Sequence, residues 1–182
     1  MPRFRVLAVA LLALASTACV TSDQSFVPPQ TATVAPDLLG TWTDSAGKER
    51  ALITRASRST YTVVYTDDGG ETWRYTGRLA VVGRWRVLDL ESRDEPARGD
   101  TLGGRHVPII LEGRGSRLHV SILERDSLDA YLARHADAPA SRRRKDETVL
   151  TASTPELWKF LEAYLANPGV LGERSTWIRR GR

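Results

Sequence analysis

Residues 59–76 read Ser-Thr-Tyr-Thr-Val-Val-Tyr-Thr-Asp-Asp-Gly-Gly-Glu-Thr-Trp-Arg-Tyr-Thr. Tyr61, Val63 and Tyr65 alternate with Thr60, Thr62, Val64 and Thr66. After the Asp-Asp-Gly-Gly break, Trp73 and Tyr75 alternate with Thr72, Arg74 and Thr76. A period of two, built from aromatic and β-branched side chains, marks strands with one buried face. The Asp68-Gly69 step suits a tight hairpin, because glycine tolerates positive φ. This stretch therefore predicts two adjacent antiparallel strands.

The same pattern extends outward from Gly40 to Glu124. Leu88 and Leu90 alternate with Val87 and Asp89, and Leu118, Val120 and Ile122 with His119 and Ser121. Turn-forming clusters at 45–47, 67–70, 103–104 and 113–115 separate the runs. The predicted strands are 40–44, 50–55, 59–66, 71–82 (as one strand or two), 84–91, 106–112 and 117–124. Short antiparallel strands with tight turns indicate a barrel or a sandwich. Two helices follow. The first covers 127–135, capped by Asp126 or Ser127, with Leu128, Tyr131 and Leu132 on one face. The second starts at Thr154-Pro155, a capping hydroxyl followed by Pro at the first helical position, and carries Leu157, Phe160, Leu161 and Tyr164 at helical spacing. It stops at Asn167-Pro168-Gly169. Between the helices, 147–151 reads as a late strand.

The remaining chain explains where such a domain would sit. Arg3 and Arg5 precede an uncharged apolar run over 6–15, which is too short for a permanent membrane span. Ser16-Thr17-Ala18-Cys19 follows. Cys19 is the single cysteine of the 182 residues, so no internal disulfide can form. Small residues before a cysteine resemble the lipobox of bacterial lipoproteins, although Ser16 stands where that family usually has Leu. The resemblance implies a signal peptide over 1–18 and acylation of Cys19, with palmitate among the acyl groups. Val20, in place of Asp, implies the outer membrane, with the domain facing the periplasm or exposed at the surface. Residues 20–36 are rich in Thr, Ser, Gln and Pro and read as a flexible tether, so that 19–36 is lipidated cysteine plus linker. Fully extended, that linker would reach about 55–60 Å. The folded domain is then 37–182.

Composition narrows the functional classes. Hydrophobic residues make up 41% and charged residues 26%, values of a globular chain rather than a disordered one. The formal charge of +4 comes from 26 basic and 22 acidic residues. Two of the basic residues, Arg3 and Arg5, fall in the signal segment. The remainder is too balanced for a nucleic-acid-binding field.

Gly40-Thr41-Trp42, after the short turn Asp37-Leu38-Leu39, resembles the first motif of the lipocalins. The order of elements, a meander of strands followed by a helix and a further strand, fits that family over residues 37–151. The resemblance implies an antiparallel barrel of about eight strands, with the two helices C-terminal to it. It also implies that Trp42 closes one end beneath an arginine from late in the chain, a place for which Arg125 is the candidate. The family's middle Thr-Asp-Tyr motif is absent. The chain looks like a lipocalin-like bacterial lipoprotein. The residues that would line the barrel are Trp42, Tyr61, Val63, Tyr65, Trp73, Tyr75, Leu88 and Leu90. They serve equally well as a cavity wall or as a filled core.

Catalytic patterns are missing. There is no nucleophile elbow, zinc helix motif or phosphate loop. His106, His119 and His135 lack metal-ligand spacing and read as surface or interface residues. No cofactor and no metal is expected. Asp67-Asp68-Gly69-Gly70-Glu71 lacks the alternating carboxylates of a calcium loop. Asp89, Glu91, Asp94 and Glu95, with the polar 92–104 stretch, read as a solubilising loop. Arg142-Arg143-Arg144-Lys145 reads as a solvated linker, or as a contact for anionic headgroups. The basic tail around Trp177 either docks on the domain or lies on a surface. The sequence thus suggests a non-enzymatic lipoprotein that holds a small apolar molecule or lipid. The alternative is a protein-interaction lipoprotein, an envelope assembly factor or an inhibitor of an exported enzyme, with a filled barrel and no small ligand.

Overall fold

In the computed structural model, residues 20–93, 104–144, 147–167 and 169–181 are described. Cys19 and the signal segment, Asp94, Glu95 and Lys145 lie outside the described residues. The strands are β1 (Val20–Ser22), β2 (Gly40–Asp44), β3 (Arg50–Arg55), β4 (Tyr61–Thr66), β5 (Thr72–Val82) and β6 (Trp85–Ser92). They continue with β7 (His106–Glu112), β8 (Arg117–Ile122), β9 (Ser141–Arg144), β10 (Glu147–Leu150) and β11 (Ser175–Arg179). The helices are α1 (Arg125–Arg134) and α2 (Thr154–Tyr164).

β2 through β8 form an antiparallel meander, and β11 pairs with β8 on one side and β2 on the other. The result is a closed antiparallel lipocalin-like barrel of eight strands with two helices. Closure removes the free sheet edges that would otherwise invite aggregation. Residues 72–82 form one long strand. In the β4–β5 hairpin Tyr65 faces Trp73 and Val63 faces Tyr75, as the alternation requires. Its turn differs in one detail from the sequence reading. The residue with positive φ is Gly70, at 85°, and not Gly69. The Gly70 N–H donates to the Asp67 carbonyl at 3.2 Å.

The strand that closes the barrel is not the late strand expected at 147–151. That segment forms β10, outside the barrel, between β1 and β9. The eighth barrel strand is β11 from the basic tail. There Trp177 turns inward at 4% exposure. A five-residue strand with one inward aromatic carries little periodic signal.

Alternation gives the barrel two faces and the molecule two cores. The inner face holds Trp42, Tyr61, Val63, Tyr65, Tyr75, Leu88, Leu90 and their neighbours. The outer faces of β5 to β7 contribute Ala80, Val82, Trp85, Val87 and Ile110 to a second core. Leu128 of α1 and Leu157, Phe160, Leu161 and Tyr164 of α2 pack on it. The N-cap of α1 is Glu124, whose carboxylate accepts from the N–H groups of Asp126 and Ser127, so neither of those residues is itself the cap. At α2 the cap is Ser153 and not Thr154, which is already the first helical residue; the Glu156 carboxylate accepts from the Ser153 N–H at 2.8 Å and its hydroxyl at 2.6 Å.

Residues 20–36 do not form a flexible tether. β1 pairs with β10 in parallel and meets His106 of β7 through Ser22. Phe26 and Val27 are fully buried in the outer core, and Thr33 bridges Leu79 of β5. The few apolar residues of this segment have no period, yet Val20, Phe26, Val27 and Ala32 join the outer core and Val34 and Ala35 pack against the inner one. The segment is a strap rather than a linker.

The strap also explains two further departures. Asp89 projects from the outer face of β6, but Ser25 and its neighbours cover it, leaving it 1% exposed. Its Oδ2 accepts from the Ser25 hydroxyl at 2.5 Å and lies 3.0 Å from His106 Nδ1. Neither Asp89 nor His106 is therefore a solvated surface group. Nearby, Arg105 and the Thr21 hydroxyl both bond to the Glu147 carboxylate. Arg142 forms a two-pronged pair with Asp23, at 2.7 and 2.9 Å, and Arg143 reaches Asp129 at 2.6 Å. Both arginines thus hold partners within the chain rather than standing as a wholly solvated run. Among the described residues, no helix is long and apolar enough to cross a membrane.

Candidate binding site in the barrel

One end of the barrel is plugged. A short 3-10 turn at Pro36–Leu38 leads into Gly40, whose φ of 125° favours glycine. A side chain there would also crowd Arg179 Nε, 3.2 Å from a Cβ built on Gly40. Trp42 lies under this turn at 1% exposure, and its indole N–H donates to the Leu38 carbonyl at 2.8 Å. The Arg179 guanidinium sits 5.9 Å above the Trp42 ring, and its Nη2 donates to the Leu39 carbonyl. The arginine over the tryptophan is therefore Arg179. Arg125 lies instead at the start of α1, 3.8 Å from Asp126. Two further contacts seal this end. The Tyr61 hydroxyl accepts from the Ala35 N–H at 2.6 Å, and Arg86 pairs with Asp37 at 2.8 Å.

Above the plug, Trp42, Val63, Tyr65, Tyr75, Leu88 and Leu90 line a cavity of about 60 Å³. Ala51 and Ile53 of β3 and Ile109 and Leu111 of β7 complete its wall, with Leu118 and Val120 of β8 and Trp177 of β11. Alternation in the sequence points to the β4–β6 part of this lining. The β11 part is hidden by the weak signal of the tail. The other two expected lining residues stand elsewhere. Tyr61 is fully buried at the plugged end, and Trp73 stacks on Tyr65 with ring centroids 5.7 Å apart.

The opposite end carries the polar groups nearest this cavity. Glu49 precedes β3 in the turn after β2. Asp44 organises that turn, its carboxylate accepting from the N–H groups of Ala46, Lys48 and Glu49. Glu49 is 3% exposed and comes close to Tyr65. Neither Glu49 Oε1 nor the Tyr65 hydroxyl makes a hydrogen bond of normal geometry. Burial pushes the Glu49 carboxyl above its ordinary value of 4.5; Tyr65 offsets part of this, and Asp44, Asp68 and Asp67 push it further up. Burial, then the charge of Glu49, drives the Tyr65 hydroxyl far above its usual range. Both groups are held in their neutral forms more strongly than in water.

Two other places have chemical content. Half-buried Ser25 joins buried Asp89 and His106 in a trio, but the serine hydroxyl donates to the carboxylate and not to the imidazole. A nucleophile must contact its base, so the trio latches the strap. A cleft of about 520 Å³ lies between α1 and the turn after α2. Tyr131 and Tyr164 line it, and His135 stacks on Tyr131 at 3.9 Å. Sequence analysis did not single it out, because it arises from the packing of one helix against a distant turn. His119, on β8, bonds Thr176 of β11 through Nδ1 at 3.1 Å. Among the described residues, no group of three or more His, Cys, Asp or Glu could hold a metal ion.

Comparison with protein-family models, with curated proteins and with solved structures found no match. The functional reading therefore rests on the geometry of this barrel.

Proposed function

We propose that the protein is a lipoprotein of the cell envelope, acylated at Cys19 and held at the outer membrane, whose barrel binds a small apolar molecule. The observation that carries the binding reading is the cavity, whose wall is entirely aliphatic and aromatic in character. Such a cavity gains affinity from each apolar atom it removes from water. The volume sets the size of the occupant. An apolar cavity of about 150 Å³ holds benzene, so about 60 Å³ accommodates something smaller unless side chains move. The Arg3/Arg5 segment, the apolar run and the small residues before Cys19 support the anchor.

The same volume favours a second reading. Ligand pockets commonly enclose about 300–1,000 Å³. By that measure the barrel is close to filled, and the protein would act through its outer surface on an envelope protein.

Native mass spectrometry decides between the two. The sample is the mature chain from Val20, exported behind a cleavable non-lipoprotein signal. A reproducible added mass that leaves on unfolding is the expected result. A bare mass, together with no xenon uptake by the cavity, would overturn the binding reading and leave the second.

A further inference from the structure

The binding reading gives the cavity no polar handle, yet two buried polar groups near it make no hydrogen bond of normal geometry. Tyr65 lines the cavity at 1% exposure, and its hydroxyl has only a loose contact with Glu49. Glu49 is also buried, and its Oε1 has no well-formed hydrogen bond. Buried polar groups whose hydrogen bonds are poorly formed carry a desolvation cost that a better partner would relieve. A largely apolar pocket with a few convergent polar groups is the usual form of a small-molecule site.

We propose that the Tyr65 hydroxyl and the Glu49 carboxyl form the polar head site of the barrel cavity, which selects small apolar molecules that end in a hydrogen-bond donor, an alcohol or an amine, over carboxylates. This inference rests on the binding reading above and gives it a ligand class. The donor preference follows from the surroundings. The charged neighbours that act most on Glu49 are Asp44, Asp68 and Asp67, all negative. A ligand carboxylate would add a buried negative charge to that group. An alcohol can donate to Glu49 Oε1 and accept from Tyr65. An amine can donate to Glu49 and gains from the same negative surroundings.

The test is a series of NMR titrations of the mature chain from Val20 with ethanol, ethylamine, acetate and xenon, all smaller than benzene. Xenon reports the cavity alone. The expected result is that xenon, ethanol and ethylamine shift the resonances of cavity residues, with acetate bound at least about tenfold more weakly. Tyr65→Phe should lower the ethanol affinity about two- to tenfold. Glu49→Gln should narrow the gap between ethylamine and acetate. The dispersion of each variant's amide spectrum reports whether it is folded, and the ligand series on the unaltered chain stands without either variant. If xenon and all three compounds fail to bind, the binding reading falls and this inference falls with it. If xenon binds and the three compounds bind equally, the cavity remains and the head site is overturned.

Discussion

Arg179 lies across the β11–β2 register from Trp42, with its guanidinium 5.9 Å above the indole ring. One hydrogen bond from the indole to Leu38 and one from the guanidinium to Leu39 tie the pair to the turn that plugs the barrel. The tryptophan supplies buried area, and the arginine satisfies a carbonyl where the turn enters the strand. Trp42→Ala should cost about 3–5 kcal/mol in urea unfolding. Arg179→Lys should cost less, about 0.5–2 kcal/mol, because the ammonium keeps the charge but loses the planar fit. Equal losses would mean that the arginine packs as much as the tryptophan does.

Glu49 gives a pH dependence of known sign. Its pKa in the folded state lies above the ordinary value of 4.5, mainly through burial. The folded protein therefore holds this proton more tightly than the unfolded chain. The stability this confers is present below the unfolded pKa and is lost as pH rises through the folded one. Glu49→Gln removes the titration. The variant should gain stability relative to the parent between pH 4 and pH 8, as read from urea midpoints across that range. A constant difference at all pH values would show that Glu49 titrates normally.

Asp89 holds the strap through Ser25 and His106. Asp89→Ala removes the partner of His106 and leaves the Ser25 hydroxyl only the Val27 carbonyl, and should destabilise by about 2–5 kcal/mol. The local signature matters more than the size. Amide exchange should rise first over residues 23–33, while the β3–β4 ladder stays protected. Uniform loss of protection would mean that strap and barrel open as one unit.

Phe26 tests the strap from its apolar side. It is fully buried in the outer core, so Phe26→Ala should cost about 3–5 kcal/mol. A protease that cuts flexible linkers should leave residues 20–36 intact in the parent and cleave them in the variant. Cleavage of the parent would restore the tether.

Acylation is tested by labelling. Radiolabelled palmitate should enter the parent and not Cys19→Ser. Equal incorporation would remove the anchor, with its membrane location, and leave the barrel as described.

The central strands were legible because the inner face is made of consecutive runs such as Tyr61-Thr-Val-Val-Tyr65, in which each alternate residue is buried. Trp42 was legible from its motif, and most of the cavity wall on β4 to β6 from alternation. Other features depend on distant segments. Arg179 finds Trp42 only after the whole meander has formed, so no local pattern pointed to it. His106 and Asp89 sit on the outer face of their strands, where polar residues are normally solvated, and a strap from the other end of the chain buries them. Glu49 occupies a turn, where a carboxylate ordinarily faces water. The 2–3 turn folds it inward instead, and nothing in Gly47-Lys48-Glu49 marks that choice.

The closing position of β11 bears on how this chain can be made and moved. The first barrel strand waits for the last, since Trp42 and Thr43 pair with Arg179 and Ile178. While a ribosome or a translocation pore still holds residues 175–179, β2 and β8 remain open edges and the inner apolar face stays unsealed. Late, long-range closure slows folding. It also leaves the chain pliable, and postpones the rigid form until residues 175–179 are free to pair.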